Sequence, residues 1–240
     1  MLSSTLDLVA RFRRKIQDTG GDTGPVPSGY TYYWEYDDGG CFISNSAVVE
    51  MLNEAQVELC RRYPIKDSTS SVCQIGIIAD KADYTLDPRI LGIERAKLST
   101  AGRVLVKTTA GLIDAEDPRL LLDDEVRYYH ENLREHTITL VGTPAAVDTL
   151  ELTVLRLPLQ SIVWGDNYGG LEVSEVHIED LLLYTLYLAY STRDFDLFDA
   201  EAANTAMQRF RSRVGEPITP RELGILKETA GVILRVRSQF

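Results

Sequence analysis

The run Leu181–Tyr190, LLLYTLYLAY, carries Leu, Tyr or Ala at every position except Thr185. It is far shorter than the roughly 20 residues a helix needs to span a bilayer. It is too regular for a loop, and its residue types suit a helix buried on most of its sides. Ser191–Phe198 then breaks the pattern with an acidic turn. A second helix begins near Asp199, a good N-cap residue, and Ala203, Met207, Phe210 and Val214 follow as one apolar stripe. Arg209, Arg211 and Arg213 fall in its last turns, where cations complement the helix dipole. Gly215 suits the C′ position and Pro217 prevents continuation. His177–Val214 therefore reads as a helical hairpin. Its first arm is more apolar than its second can cover, so other helices, of this chain or of a neighbour, must pack on it.

The rest of the chain supplies candidates. Leu6, Val9, Ala10, Arg13 and Ile16 have helical spacing behind Ser4-Thr5-Leu6-Asp7, which predicts a helix over Thr5–Gln17. Arg11, Arg13, Arg14 and Lys15 near its end fit a solvated face or a contact with an acidic partner. Thr19–Gly29 is loop by composition, and Tyr30–Tyr36, YTYYWEY, is an aromatic patch with strand character. A second helix, Ser46–Tyr63, has Ser44 or Ser46 as its cap and Val48, Leu52, Ala55, Leu59 and Tyr63 as its seam. Glu58 precedes Arg62 at the favourable i, i+4 spacing, and Pro64 stops the helix.

Between Ile65 and Pro158 the period changes from 3.6 to 2. Strands are expected at Val72–Ala79, Tyr84–Leu86, Ile90–Leu98, Val104–Thr108, Thr137–Val141 and Leu150–Leu157, with a short helix at Asp123–Leu133. Few helical patterns alternate with the strands, so antiparallel pairing is expected rather than βαβ units. The fold class that follows is α+β: a helical bundle with an inserted, mostly antiparallel β module. Residues 1–70 and 171–216 would form the bundle, 71–170 the insertion and 217–240 a C-terminal docking tail.

The net charge of −11 excludes a surface that grips phosphate backbones over its whole extent. Met1–Arg14 lacks the apolar core of a signal peptide, and no stretch is long enough for a membrane span, so no membrane partner is expected. Cys41, Cys60 and Cys73 are odd in number and not in metal-ligand spacing, which points to reduced thiols. No Gly-x-Ser-x-Gly elbow and no His-Glu-x-x-His is present. His130 and His136 lack the one-turn spacing of a helical metal pair. Asp194, Asp196, Asp199 and Glu201 only loosely resemble a calcium loop, because Asp199 stands where such loops need Gly. No catalytic residue, metal or cofactor is therefore assigned.

Leu52–Leu59, LNEAQVEL, matches a helix common in head-to-tail adaptor proteins of tailed bacteriophages, which the chain resembles. Such proteins place a short helix before it, a β region after it, and a closing helical pair like Leu181–Phe210, in the same order. They often set a Trp-acidic segment directly before the LNEAQ helix; here a Gly-rich turn separates Trp34 from it. The resemblance implies a structural role. It implies a homo-oligomeric ring, usually of about twelve copies (an assembly closed by rotational symmetry), beneath the portal protein of the filled head. The ring carries the tail or nozzle protein on its other side, and DNA passes through its channel without specific binding. The virion neck would be its location. Acidic channel walls suit that passage, since they repel phosphate. Another phage neck or tail interaction module, or a small soluble enzyme, remains the alternative.

Two surfaces are expected to dock. Tyr32, Tyr33 and Trp34 either cover an edge of the core or anchor a subunit interface, where Tyr and Trp dominate the binding energy. The tail carries Arg221, Lys227, Arg235 and Arg237 against Glu222 and Glu228, a charge of +4 − 2 = +2 in an acidic chain. Val232, Leu234 and Val236 alternate with Ile233, Arg235 and Arg237, before the terminal Phe240. Adaptors of the resembling family often dock a terminal segment on portal, so Val232, Leu234, Arg235, Val236, Arg237 and Phe240 are the expected portal contacts, by strand addition or by an apolar face laid in a groove; a tail folded back on its own subunit is the alternative.

Overall fold

The computed structural model describes residues 5–17, 41–108, 126–142, 144–164, 170–193 and 197–217. The described residues divide into two compact units, with the boundaries at Tyr63/Pro64 and Leu157/Pro158. The first unit holds α1 (Thr5–Ile16), α2 (Asn45–Cys60), α3 (Ile178–Ser191) and α4 (Ala200–Val214). Each terminus has a local cause. The Ser44 side chain accepts the Ala47 N–H at the start of α2. Asp199 accepts the N–H groups of Glu201 and Ala202 at the start of α4. Gly215, at φ 73°, turns the chain away at its end.

The apolar run does become α3, and it is the centre of this unit. Leu181, Leu182, Thr185 and Ala189 are buried, and the Thr185 hydroxyl satisfies itself on the Leu181 carbonyl one turn back. Leu52, Ala55 and Leu59 from α2, Phe12 from α1 and Phe210 from α4 join the same core. The basic cluster of α1 is not one solvated face. Arg13 is fully buried and donates to the Ile43 carbonyl at 2.9 Å and to Asn45 Oδ1 at 2.7 Å, tying α1 to the start of α2.

The second unit is a sheet of eight strands: β1 (Ile65–Asp67), β2 (Gln74–Ile77), β3 (Asp83–Thr85), β4 (Ile90–Leu98), β5 (Arg103–Lys107), β6 (Tyr128–Asn132), β7 (Thr137–Val141) and β8 (Asp148–Arg156). Its order is β1-β8-β4-β5-β6-β7-β3, with β2 also on β8. The long pair β4–β8 is the spine, and two register shifts in β4 mark bulges that bend it. β5 and β6 run parallel, so the sheet is mixed. Ile93, Ala96, Leu105, Tyr129, Ile138, Leu150, Leu152 and Val154 fill the core on one face.

This overturns the expected fold class. The described residues hold four short helices and a large, curled, mixed sheet of eight strands; the protein is mostly β, not a helical bundle bearing an inserted module. Two physical reasons account for the error. β1 begins directly after Pro64, where no period could show in so short a strand. Tyr128–Asn132 was expected to be helical as part of Asp123–Leu133, yet it is β6, clamped between a parallel partner and the antiparallel β7. Pairing on both sides overrides the local pattern there, and Tyr favours a pleated, half-buried surface anyway.

Candidate functional site

The expected docking residues Tyr32, Tyr33 and Trp34, and Val232, Leu234, Arg235, Val236, Arg237 and Phe240, lie outside the described residues, as do Asp194 and Asp196. The LNEAQ segment lies on α2 and shows what that pattern does. Leu52, Ala55 and Leu59 are fully buried. Glu58 pairs with Arg62, whose guanidinium also donates to the Gly215 carbonyl at 2.8 Å and lies 4.8 Å from the Phe210 ring centre.

Asn53 and Gln56 hold the returning chain. Asn53 Nδ2 donates to the Ile162 carbonyl at 3.0 Å, and its Oδ1 accepts the Ile162 N–H at 2.7 Å. Gln56 Nε2 donates to the Gly170 carbonyl at 2.9 Å, and its Oε1 accepts the Glu172 N–H at 2.8 Å. Two side-chain amides thus pair with the main chain at Ile162, Gly170 and Glu172, where polar groups would otherwise be left unmatched. Gly170 makes the close approach possible. It has φ +87°, and a Cβ there would overlap the Ser161 carbonyl. Sequence reasoning quoted both residues and gave neither a role. The available signal was their i, i+3 placement beside an apolar seam, which puts two polar side chains at the edge of a buried face.

Asp180 is a second fastening point. Buried at the start of α3, it pairs with Arg213 of α4 and accepts from His177 Nδ1 at 3.2 Å, and the His177 ring stacks on Tyr63 at 4.5 Å. Arg213 is held more firmly protonated by its hydrogen bond to Asp180. The Asp199 N–H donates to the Tyr190 carbonyl at the opposite end, so α3 and α4 are antiparallel. Beside them runs an open groove of about 490 Å³. Leu183, Leu186 and Tyr190 of α3, Ala202, Ala206 and Arg209 of α4, and Lys15 of α1 are among its lining residues.

The sheet unit offers a different surface. Opposite its core face, Glu151, Lys97 and Val104 sit side by side across β8, β4 and β5. Val106 follows, paired with Tyr128 of β6. Val104 is 47% and Val106 58% exposed. On the edge, Asp67 and Arg156 form a buried ion pair at 2.6 Å. Burial alone would raise the Asp67 pKa, but hydrogen bonds from Ser70, Thr69 and Arg156 together hold it far below the ordinary carboxylate range. Nearby, burial pushes the Cys73 thiol up, which keeps it protonated and a poor nucleophile.

No arrangement for bond-making chemistry comes together among the described residues. No group of three or more His, Cys, Asp or Glu there could hold a metal. His130 faces the Thr108 carbonyl, His136 occupies a left-handed turn at φ 50°, and His177 is the stacked ring above. No described helix is long and apolar enough to cross a membrane. The chain matches the family model described as SU10 adaptor protein over residues 3–228 and belongs to that family, one of phage adaptor proteins. It is accordingly a structural protein of the virion, and its interactions are with other phage head or tail proteins. No curated protein matches the chain.

Proposed function

We propose that the protein forms a homo-oligomeric ring, of about twelve copies by the family resemblance, that joins the portal of the filled head to the tail or nozzle protein. The genome passes through the channel of this ring without specific binding. Membership of the adaptor family over residues 3–228 carries the reading. Two features support it. The net charge of −11 suits a wall past which DNA must slide. The fastened helices suit a joint that bears load, because each buried polar pair resists opening. Tyr32, Tyr33 and Trp34 would contribute to subunit contacts, and Trp34→Ala would then weaken them by about 2 kcal/mol. Gly231–Phe240 would dock on portal.

The test combines negative-stain microscopy of the purified chain with co-purification on portal rings. Rings that bind portal, and a deletion of Gly231–Phe240 that stays folded and no longer binds, are the expected results. A chain that remains a monomer in the presence of portal and never binds it would overturn the proposal.

A further inference from the structure

We infer that the sheet unit binds a carboxylate of a partner protein in a pocket built around Arg95, on the face opposite its core. The site does not depend on the ring proposed above. It needs only that the partners are proteins, as membership of the adaptor family gives.

The alternation of β8 builds the pocket. Leu150, Leu152 and Val154 are buried, so Thr149, Glu151 and Thr153 turn to the opposite face. The register sets Arg95 of β4 across from Thr153 and Lys97 across from Glu151, with Gln74 of β2 on the other flank of Glu151. Ser68, just after β1, lines the same cavity, which measures about 370 Å³. The two rows lie about 7 Å apart along β8, and β2 lies about 10 Å from β4. An opening of that size takes the end of one acidic side chain.

Donors outnumber acceptors there. Lys97 is paired with Glu151 at 3.2 Å, and the other oxygen of Glu151 accepts from Ser99 at 2.7 Å. Glu151 is held ionised, below the ordinary carboxylate range, by hydrogen bonds from Ser99 and Lys97 and more weakly by the Arg95 charge. Arg95 itself has no hydrogen bond or ion pair among the described residues, and neither do the side chains of Ser68, Gln74 and Thr153. A guanidinium, an amide and two hydroxyls therefore face one opening with no acceptor of the chain to meet. A carboxylate matches them. The planar fork of Arg takes its two oxygens, and hydroxyl and amide donors take the remaining lone pairs.

Charge decides between an acidic protein segment and a nucleic acid. A nucleic acid needs a run of cations that track successive phosphates. Here Lys66 is committed to Glu94 at 2.6 Å and Lys97 to Glu151, so the face offers Arg95 with a carboxylate to either side. One guanidinium among neutral donors suits one carboxylate. The edge of the sheet leaves room for the chain that carries it. β1 and β2 are the outermost strands on that side, and a Cβ on Gly76 would meet nothing within 4 Å.

The experiment is calorimetric titration of the full chain with a hexaglutamate peptide, at a salt concentration of about 0.15 M that screens the net charge of the chain. Binding is expected, and Arg95→Ala should weaken it about tenfold or more, as the loss of a charge-assisted hydrogen bond requires. Arg95→Lys keeps the charge without the fork and should recover the binding only in part. Glu151→Gln should tighten it several-fold, because it removes a carboxylate beside the ligand and frees Lys97. Arg95 is exposed, so Arg95→Ala should keep the thermal midpoint of the parent. Failure of the peptide to bind, or binding that Arg95→Ala leaves unchanged, would overturn the inference. So would a short DNA duplex that binds through Arg95 more tightly than the peptide, which would make the pocket a phosphate site.

Discussion

Gln56→Met is the sharpest probe of the paired amides. The side chain is 1% exposed, and methionine matches its length and nearly its volume, so packing changes little. What changes is pairing. The Gly170 carbonyl and the Glu172 N–H, each held now at under 3 Å, lose their partners together. An unsatisfied buried polar group costs about 1–3 kcal/mol. Two such groups, one of them near solvent at Glu172, give about 3 kcal/mol. With a urea slope of ~2 kcal/mol/M, the midpoint of unfolding of the helical unit should fall by about 1.5 M. Trp164 packs against that core, so tryptophan fluorescence beside far-UV circular dichroism reads the transition. Gln56→Glu refines the test. Its ionised form would face the Gly170 carbonyl oxygen in a buried site, which raises its folded pKa above the unfolded value of about 4.3. A raised pKa means stability fully present below pH of about 4.3 and lost as pH rises through the folded value. Relative to the parent, this variant should therefore recover stability on acidification, when its protonated acid can donate to Gly170. A midpoint for Gln56→Met within about 0.2 M of the parent would refute the reasoning, since it would price the two bonds near zero.

Gly170→Ala should destabilise the same unit by at least ~2 kcal/mol, read by thermal unfolding, because it adds left-handed strain to overlap with Ser161; a neutral effect would refute the close approach of Gly170 to the Ser161 carbonyl. Asp67→Ala breaks the buried Asp67–Arg156 ion pair, so urea unfolding of the sheet unit should show a loss of about 3–5 kcal/mol. Because the folded pKa of Asp67 is depressed, its contribution is present above pH of about 4 and is lost as pH falls below that. The parent should weaken over that acid window more steeply than Asp67→Asn. Val104→Lys with Val106→Lys should change the stability of the isolated chain by no more than about 0.5 kcal/mol, since both side chains are exposed. If that stripe docks a partner, the same pair should remove co-assembly with head or tail proteins in a pull-down, and unchanged co-assembly would show that it does not.

Local signals survived folding where one stretch of chain could satisfy them. Ser44 and Asp199 cap α2 and α4, and Glu58 reaches Arg62, because these bonds close within one helical turn. The apolar run Leu181–Tyr190 demanded company on most of its sides, and it sits at the centre of the helical unit. The order of elements around LNEAQVEL was enough to suggest the family, and the match over residues 3–228 bears that out. Other features could be decided only by contacts between distant residues. Tyr128–Asn132 is a strand because β5 and β7 flank it, and its own period says nothing of them. Arg13 reads like its neighbours Arg11 and Arg14, yet the Ile43 carbonyl and Asn45 draw it inside. Asn53 and Gln56 became fastenings only when Ile162 and Gly170 returned to α2, across more than a hundred residues of chain. Caps, i, i+4 pairs and apolar stripes belong to the sequence because one turn of helix contains both partners. Strand identity in a mixed sheet and the fate of a buried polar group belong to the tertiary structure, because the partner that decides each is remote.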